Sequence, residues 1–405
     1  MKRAASIILL IFNFAICFVL SQNDNQKPIV ILISLDGFRW DYLNRGLSPE
    51  LSSIAEEGVK AISLKPQFPS MTFPNHYSII TGLIPEKHGI IANSFQNPYN
   101  KNIFSLKQPA VSQAVWYQGE AFWETAKRNG IRTASYFWPG SEMNIDFRRP
   151  DYYEKYEHNR PYETRVKGVL DWLSLPDSLR PRFITLYFDE TDSKGHRYGT
   201  NSPELKRGIE RVDKMISMLD SSISSLGLSG IVNMIILSDH GMMDMSPDKV
   251  ISVMELLEND TSVSFINHSS ITFIQPDKDK ILKYYDMIKK REKGFKVYLK
   301  KDIPDRYKYK NHPFISDIVL IAEPGWQIRK NLDWDSTYIA THGYDNSIME
   351  MHGIFLAKGP AFKMNYNTGT LNNIDIYPLL CRIFDIEPAG NIDGDILNII
   401  QVLKE

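Results

Sequence analysis

The sequence predicts an α/β fold: a mostly parallel central sheet with helices on both faces. Three observations carry that prediction: long uninterrupted apolar runs, their alternation with helical patterns, and the acidic residues on which three of the runs end. A strand buried on both faces of a parallel sheet has no polar side to show, so it reads as a continuous apolar run. Regular strand–helix alternation then covers the sheet with helices.

The first run is "KPIVILISLDG", ending at Asp36. "SPELSSIAEEG" follows as a helix, with Ser48 as the expected N-cap, Pro49 at the first position and Gly58 beyond the end. "VKAISL" is the next strand. "PQFPSMTFPNHYSIITG" places Thr72 at the entrance of a helix that Gly82 stops. On that stretch alone Thr72 is equally a helix cap or a reactive hydroxyl. The alternation continues with a helix near Glu120 to Asn129, the strand "IRTASYF", a helix near Tyr162 to Leu173, the strand "RFITLYFDE", a helix from Glu204 to about Leu226, and the strand "IVNMIILSDHG".

Two stretches leave this rhythm. Residues 139–160 are polar, aromatic and punctuated by proline, and residues 255–335 hold short strands and a basic helix. Both read as insertions over the sheet edge within a single domain, 28–405, preceded by a polar lead-in at 22–27. The charges of "KKREKGFKVYLKK" recur at helical spacing, which favours a solvated helix face over a nucleic-acid patch.

The 405 residues are 43% hydrophobic and 23% charged, with a net charge of −1. A chain so nearly neutral has no general attraction to nucleic acid or anionic membranes, so an anionic ligand must be met by a local site. "MKRAASIILLIFNFAICFVLSQ" has a basic start and a short apolar run, which reads as a secretory signal over residues 1–21. An uncleaved N-terminal anchor is the alternative. No other segment is apolar enough to span a bilayer, so the mature chain is expected to be exported, periplasmic or extracellular, and monomeric. Of the two cysteines, Cys17 leaves with the signal and Cys381 sits in an apolar helical pattern as a buried thiol.

Chemistry concentrates at the acidic strand tips: Asp36, Asp192 with His196 in "YFDETDSKGH", and Asp239 with His240 in "ILSDHG". The carboxyl ends of strands form the active edge of an open parallel sheet. One carboxylate there is usually a turn or a cap; three, two with histidine beside them, are hard to explain that way. His342 adds an imidazole in the glycine-containing loop "DSTYIATHGYDN". Asp and His are suitable zinc ligands, and two metals need about six to eight protein ligand atoms. In this reading the Asp192–His196 pair reaches its ion from a glycine-containing turn. A metal beside Thr72 would turn a weak nucleophile into an effective one.

The motifs "ILISLDGFRWDYL", "FPSMTFPNHYSIITGLIPEKHGIIANSF", "FWPGSE", "TLYFDETDSKGHRYG", "ILSDHGM" and "THGYDNSIMEMHGIFLAKGPAF" span roughly residues 28–385. In order and spacing the chain resembles the nucleotide pyrophosphatase/phosphodiesterase family of the alkaline phosphatase superfamily. The resemblance implies an alkaline-phosphatase-like fold and two zinc ions. One is held by Asp192, His196 and His342; the other by Asp36, Asp239 and His240, with Thr72 as nucleophile. Asn93 resembles the family asparagine that contacts a phosphate oxygen, whereas His76, His88 and His352 match no metal ligand. The implied reaction is in-line attack by Thr72, a phosphothreonine intermediate, hydrolysis, and net retention at phosphorus.

Family members divide between nucleotide and lipid or choline phosphodiesters. Phe73, directly after Thr72, and Tyr156, in the 139–160 insertion, resemble the pair that stacks a nucleobase. Trp138 matches a further aromatic on that side, and Glu142 stands where aspartate is common. The resemblance therefore implies a small nucleotide substrate (a nucleoside triphosphate, dinucleotide or nucleotide diester) cleaved to a 5′-monophosphate. A lysophospholipid or choline phosphodiesterase is the alternative, and a non-catalytic binding protein on a decayed fold a remote one. Thr72 argues against a sulfatase, which needs a modified Cys or Ser. The chain ends about where the catalytic domain ends in larger animal members, which points to a minimal, bacterial form.

Overall fold

The computed structural model describes residues 27–333 and 336–404; the expected signal segment lies outside the described residues. The principal strands are β1 (Ile29–Leu35), β2 (Val59–Ala61), β3 (Thr133–Tyr136), β4 (Tyr152–Tyr153), β5 (Phe183–Phe188), β6 (Val232–Leu237), β7 (Ser264–Asn267), β8 (Ile271–Gln275), β9 (Phe295–Leu299), β10 (Ile318–Ala322), β11 (Phe355–Lys358) and β12 (Tyr366–Thr368). The principal helices are α1 (Pro49–Glu57), α2 (Thr72–Thr81), α3 (Phe122–Arg128), α4 (Tyr162–Leu173), α5 (Glu190–Tyr198), α6 (Pro203–Ser225), α7 (Ile281–Lys289) and α8 (Ile376–Phe384).

The central sheet has the order β12–β2–β11–β6–β1–β5–β3–β4. It is parallel except for β11, which runs antiparallel to both β6 and β2. β1 lies between β5 and β6, parallel to both, so the three acidic strand tips of the sequence are neighbours. Successive β1 side chains alternate between two cores. Ile29, Ile31 and Ile33 face Leu51 of α1, Val166 of α4 and Ile209 of α6. Val30 and Leu32 face Ile79 of α2, Ala126 of α3 and Leu380 of α8. Each such buried side chain contributes roughly 1.5–3 kcal/mol, and this two-sided burial is why the runs lack polar residues.

Strands β7–β8–β10–β9 form a second, wholly antiparallel sheet within the 255–335 stretch. Its alternation is equally two-sided. Phe273, Val319 and Ile321 join the core that holds α2 and α8. Ile274, Ile318, Leu320 and Val297 pack instead with Tyr284 and Ile288 of α7. The 139–160 stretch contributes β4, which pairs with β3 at the sheet edge.

Three local expectations are corrected. "VKAISL" is not one strand: β2 ends at Ala61, Ile62 is 60% exposed, and Leu64–Lys65 pairs separately with Leu371–Asn372. Ser48 makes no side-chain cap on α1. Its place is taken by Asp213 of α6, whose carboxylate accepts from the Glu50 N–H at 3.2 Å and the Leu51 N–H at 2.8 Å. Pro49 has no N–H to offer, so the first donors are these two, and one charged group facing α1 satisfies both while meeting the positive helix end. Finally, "DSKGH" is not a turn but part of α5, so Asp192 and His196 stand one helical turn apart on one face. Gly195 reads as a turn signal, yet it lies within the helix, in a tight place where a Cβ would lie 3.2 Å from the Met242 side chain.

Asp213→Ala is expected to lower the free energy of unfolding by about 1–2 kcal/mol, since two helix-terminal donors lose their acceptor. Urea unfolding measures this, and the folded variant keeps its active-site chemistry because Asp213 lies under α1, away from the strand tips.

Candidate metal centre and active site

Asp36 directly follows β1, Asp239 lies two residues beyond β6, and α5 begins two residues beyond β5 with Asp192 in its first turn. Gly37 turns the chain after Asp36 with φ +63°, where a Cβ would lie 2.9 Å from the Asp192 Cα. Only glycine lets the first strand tip come this close to α5.

Asp36 and Asp239 are almost wholly buried. Asp36 keeps one partner for Oδ2, the Tyr187 hydroxyl donating at 2.6 Å. The remaining oxygens, Asp36 Oδ1, Asp192 Oδ1 and Asp239 Oδ2, are buried with no hydrogen bond. Burial, and then Asp239 and Asp192, push the Asp36 carboxyl well above its usual range. Unpaired carboxylate oxygens are costly to bury and call for a cation.

The imidazoles are turned to meet them. His196 Nδ1 faces the Ala340 carbonyl at 2.7 Å, His240 Nδ1 the Gly241 carbonyl at 2.8 Å, and His342 Nδ1 the Ser70 carbonyl at 2.8 Å. A proton on each Nδ1 donates to the carbonyl, which leaves Nε2 as the lone-pair nitrogen; the Tyr338 hydroxyl approaches that of His196 at 2.9 Å. His196 Nε2 lies 3.3 Å and His342 Nε2 3.6 Å from Asp192 Oδ1. His240 Nε2 lies 3.1 Å from Asp239 Oδ2 and 3.5 Å from Asp36 Oδ1. Burial, and then His240, hold His342 well below the usual imidazole range, so it is neutral. Lone pairs facing lone pairs in a buried place fit divalent metal ions.

The groups Asp192–His196–His342, Asp36–Asp192–His240 and Asp36–His76–Asp239 each have ligand atoms within 4.8 Å of one another. His76 is the exception among them. Its Nδ1 faces its own helix, at the Thr72 carbonyl at 2.9 Å, and its Nε2 meets Ser34 Oγ at 2.8 Å. The His76 nitrogen facing Asp239, Nδ1 at 3.3 Å from Oδ2, is the one that meets a backbone carbonyl, so His76 braces Asp239 from behind rather than offering a lone pair.

Thr72 is the first residue of α2, and its Oγ1 lies 3.1 Å from His240 Nε2. Asn75, one turn on, ties the approach down: its amide donates to the carbonyls of Met71 and Pro69, and its Oδ1 accepts from Gln67 N–H. Asn93 Oδ1 accepts from the Phe73 N–H at 3.0 Å, so its NH₂ is the donor left over beside the start of α2.

Beside the strand tips opens a cavity of about 400 Å³ lined by Asp36, Thr72, Phe73, Trp138, Glu142 and Tyr156 among others. Every substrate residue expected from the sequence is therefore on its wall. Glu142 accepts the Tyr156 N–H at 2.6 Å, and burial raises its carboxyl above the usual range. Trp138 is buried, and its indole N–H donates to the His76 carbonyl, so it also holds α2. The sequence reading missed Tyr187, Asp189 and His158, which line the cavity too, and Leu106 and Val111 on the facing wall. Tyr187 sits inside the apolar run "RFITLYFDE", where nothing separates it from core. Among the described residues, the lining holds Asp36, Glu142, Asp189 and Asp192 but no Lys or Arg.

Residues 30–345 match the family described as type I phosphodiesterase / nucleotide pyrophosphatase. The chain belongs to that family. It is 37% identical over 380 residues to human ectonucleotide pyrophosphatase/phosphodiesterase family member 1, covering 90% of this chain but only 41% of that protein. It is 35% identical to the Xenopus laevis bis(5'-adenosyl)-triphosphatase enpp4, covering 95% of this chain and 84% of that one. The solved structure of murine member 5, an inactive threonine-to-alanine variant in complex with AMP, superposes with a TM-score of 0.88 at 33% identity, covering 94% of this chain and all of the other. The fold is thus the alkaline-phosphatase-like one the motifs implied.

Chelation of divalent metal is expected to lower the thermal midpoint by about 5 °C or more, with readdition restoring it. Asp36→Asn should change sign with loading. It raises the midpoint of metal-free protein by relieving repulsion, and lowers that of metal-loaded protein by removing a ligand. Calorimetry on both forms measures each arm.

Proposed function

We propose that the chain hydrolyses nucleotide phosphodiester and pyrophosphate bonds, releasing nucleoside 5′-monophosphates, with Thr72 as the nucleophile. The observation that carries this reading is the Thr72 hydroxyl, 3.1 Å from an imidazole lone pair at the foot of a cavity walled by Phe73 and Tyr156. The AMP bound to murine member 5 and the triphosphatase name of the Xenopus relative support a nucleotide substrate.

Asp192, His196 and His342 would hold one ion, and Asp36, Asp239 and His240 the other, beside Thr72. We take both to be zinc, which suits an imidazole–carboxylate donor set. When bound, the ions supply the positive charge that lowers the pKa of the threonine hydroxyl and neutralises phosphate oxygens. Thr72 Oγ1 gives up its proton and bonds to phosphorus, while the bond to the leaving oxygen breaks on the opposite side and that oxygen takes up a proton. The Asn93 NH₂ donates to a non-bridging oxygen, and the α2 N-terminus adds favourable potential there. Water then attacks the phosphothreonine diester, the Thr72–phosphorus bond breaks, and the monophosphate leaves. Phe73 and Tyr156 hold the base, which offers a π-face whatever its identity.

The chain is further proposed to act as an exported monomer, its N-terminal segment serving as the signal and residues 28–405 as one catalytic domain. No helix among the described residues is long and apolar enough to cross a membrane.

Product analysis on ATP, a dinucleotide and lysophosphatidylcholine, with metal content measured on the same sample, tests the reading. AMP from the first two substrates and zinc in the sample support it; faster turnover of the lipid overturns it. Thr72→Ala is expected to fold, to keep its metal, and to lose on the order of 10³-fold or more in turnover.

A further inference from the structure

Tyr156 lies on a loop outside the sheet and is 47% exposed, which is a poor foundation for one wall of a binding site. A buried cation underlies that loop. Arg165, on α4, is 0% exposed and has no place in the chemistry described above. Its Nε donates to the Arg160 carbonyl at 3.1 Å and its Nη2 to the His158 carbonyl at 3.0 Å, so it grips the loop at two points. Its Nη1 donates to the Tyr187 carbonyl at 2.9 Å and to Asp189 Oδ1 at 3.1 Å, which fixes the end of β5. The other oxygen, Asp189 Oδ2, lies 3.3 Å from His158 Nδ1. That same nitrogen lies 3.1 Å from the Tyr156 hydroxyl. The Tyr156 ring meets Phe137 edge-on at 5.2 Å and Tyr187 at 6.2 Å.

We infer that the chain Arg165–Asp189–His158 positions Tyr156, and so sets how strongly this enzyme prefers substrates that carry a nucleobase. The inference rests on the reading of Tyr156 as a base-stacking wall. The geometry favours a role beyond loop stability for a specific reason. Arg165 already anchors the loop through main-chain carbonyls, and it leaves Asp189 one free oxygen. His158, although its side chain is 61% exposed, keeps the nitrogen facing that oxygen within 3.1 Å of the tyrosine hydroxyl as well. Ring orientation is then fixed at both ends, by packing against Phe137 and Tyr187 and by the hydroxyl tether. A pre-oriented ring loses little freedom when a base stacks on it, so base binding keeps more of its free energy. His158 and Asp189 both line the cavity, which places the tether at the wall it would control.

The test compares the 4-nitrophenyl ester of thymidine 5′-monophosphate with methyl 4-nitrophenyl phosphate, which has no base, using metal-loaded full-length enzyme. The readouts are KM and kcat separately, and the ratio of kcat/KM between the two substrates. Tyr156→Ala should collapse the ratio. Tyr156→Phe keeps the ring and removes the tether; His158→Ala removes it from the other side. Each should lower the ratio by about threefold to tenfold, the range expected for one hydrogen bond, acting on KM rather than kcat. The double variant should be no worse than either single one, and His158→Asn, which restores a donor near the Nδ1 position, should recover most of the preference. Additive effects, a loss confined to kcat, or no recovery by Asn would overturn the inference. If Tyr156→Ala lowers the ratio while His158→Ala and Tyr156→Phe do not, only the tether fails. If Tyr156→Ala itself leaves the ratio unchanged, the base-stacking reading falls and the tether with it.

Discussion

Asp36, Asp192 and Asp239 converge where β1, β5 and β6 end; the neighbouring histidines, against the effect of burial, hold Asp192 and Asp239 below the usual carboxylate range, but burial and the other two carboxylates push Asp36 well above it. Two unit charges within 4.8 Å, the spacing of these ligand groups, repel by roughly 3–4 kcal/mol at an effective dielectric near 20. The sheet nonetheless forces the meeting, because the three strands are adjacent and parallel and so end at one edge. A fold that imposes such repulsion is complete only with its counter-charge. That single requirement explains the histidine tautomers, the glycine after Asp36 and the orphaned oxygens together.

The carbonyls that orient the imidazoles come from distant parts of the chain. Ser70, which fixes His342, lies two residues before Thr72, and its hydroxyl donates to the Tyr344 carbonyl at 3.1 Å. The loop that carries Thr72 is therefore also the loop that orients His342. Thr72 and His342 cannot shift independently. The second sheet takes part as well: Ser270, immediately before β8, donates to the His342 carbonyl at 2.7 Å. An insertion that looked peripheral in the sequence thus buttresses the ligand loop, which gives it a reason to hold a well-packed core of its own.

Much of this was legible in the sequence, for a definite reason. A strand buried on two faces must be apolar throughout, so the first charged residue after it marks the sheet edge. Asp36 and Asp239 announced themselves that way. The reading failed where a residue serves two purposes. Gly195 looked like a turn because glycine usually is one, but it sits within a helix that passes close to the Met242 side chain. Ser48 looked like a cap because local chemistry permits it, but Asp213, far off in sequence, supplies a better acceptor. Tyr187 was invisible because its ring satisfies the apolar pattern while its hydroxyl does something else. Arg165 and Asp189 were missed because a buried arginine on a helix carries no periodic signal.

Tyr187 shows how the two halves of the site are joined. Its hydroxyl holds Asp36 at 2.6 Å and its ring supports Tyr156 edge-on, so one side chain touches both a metal-group carboxylate and the expected base wall. This matters because, among the described residues, the cavity lining offers an anion no lysine or arginine. With Asp36, Glu142, Asp189 and Asp192 on the wall, a phosphate entering a metal-free site would face four carboxyl groups. Affinity must then come from the metal ions at one end and from aromatic surface at the other, with little between. Such a division makes the distance from metal to ring the main determinant of which phosphodiesters fit. A short rigid link through Tyr187 fixes that distance more firmly than the exposed loop could. The acidic wall works in the same direction, since it penalises any anionic ligand that cannot bring its phosphate to the metals while its base reaches the rings.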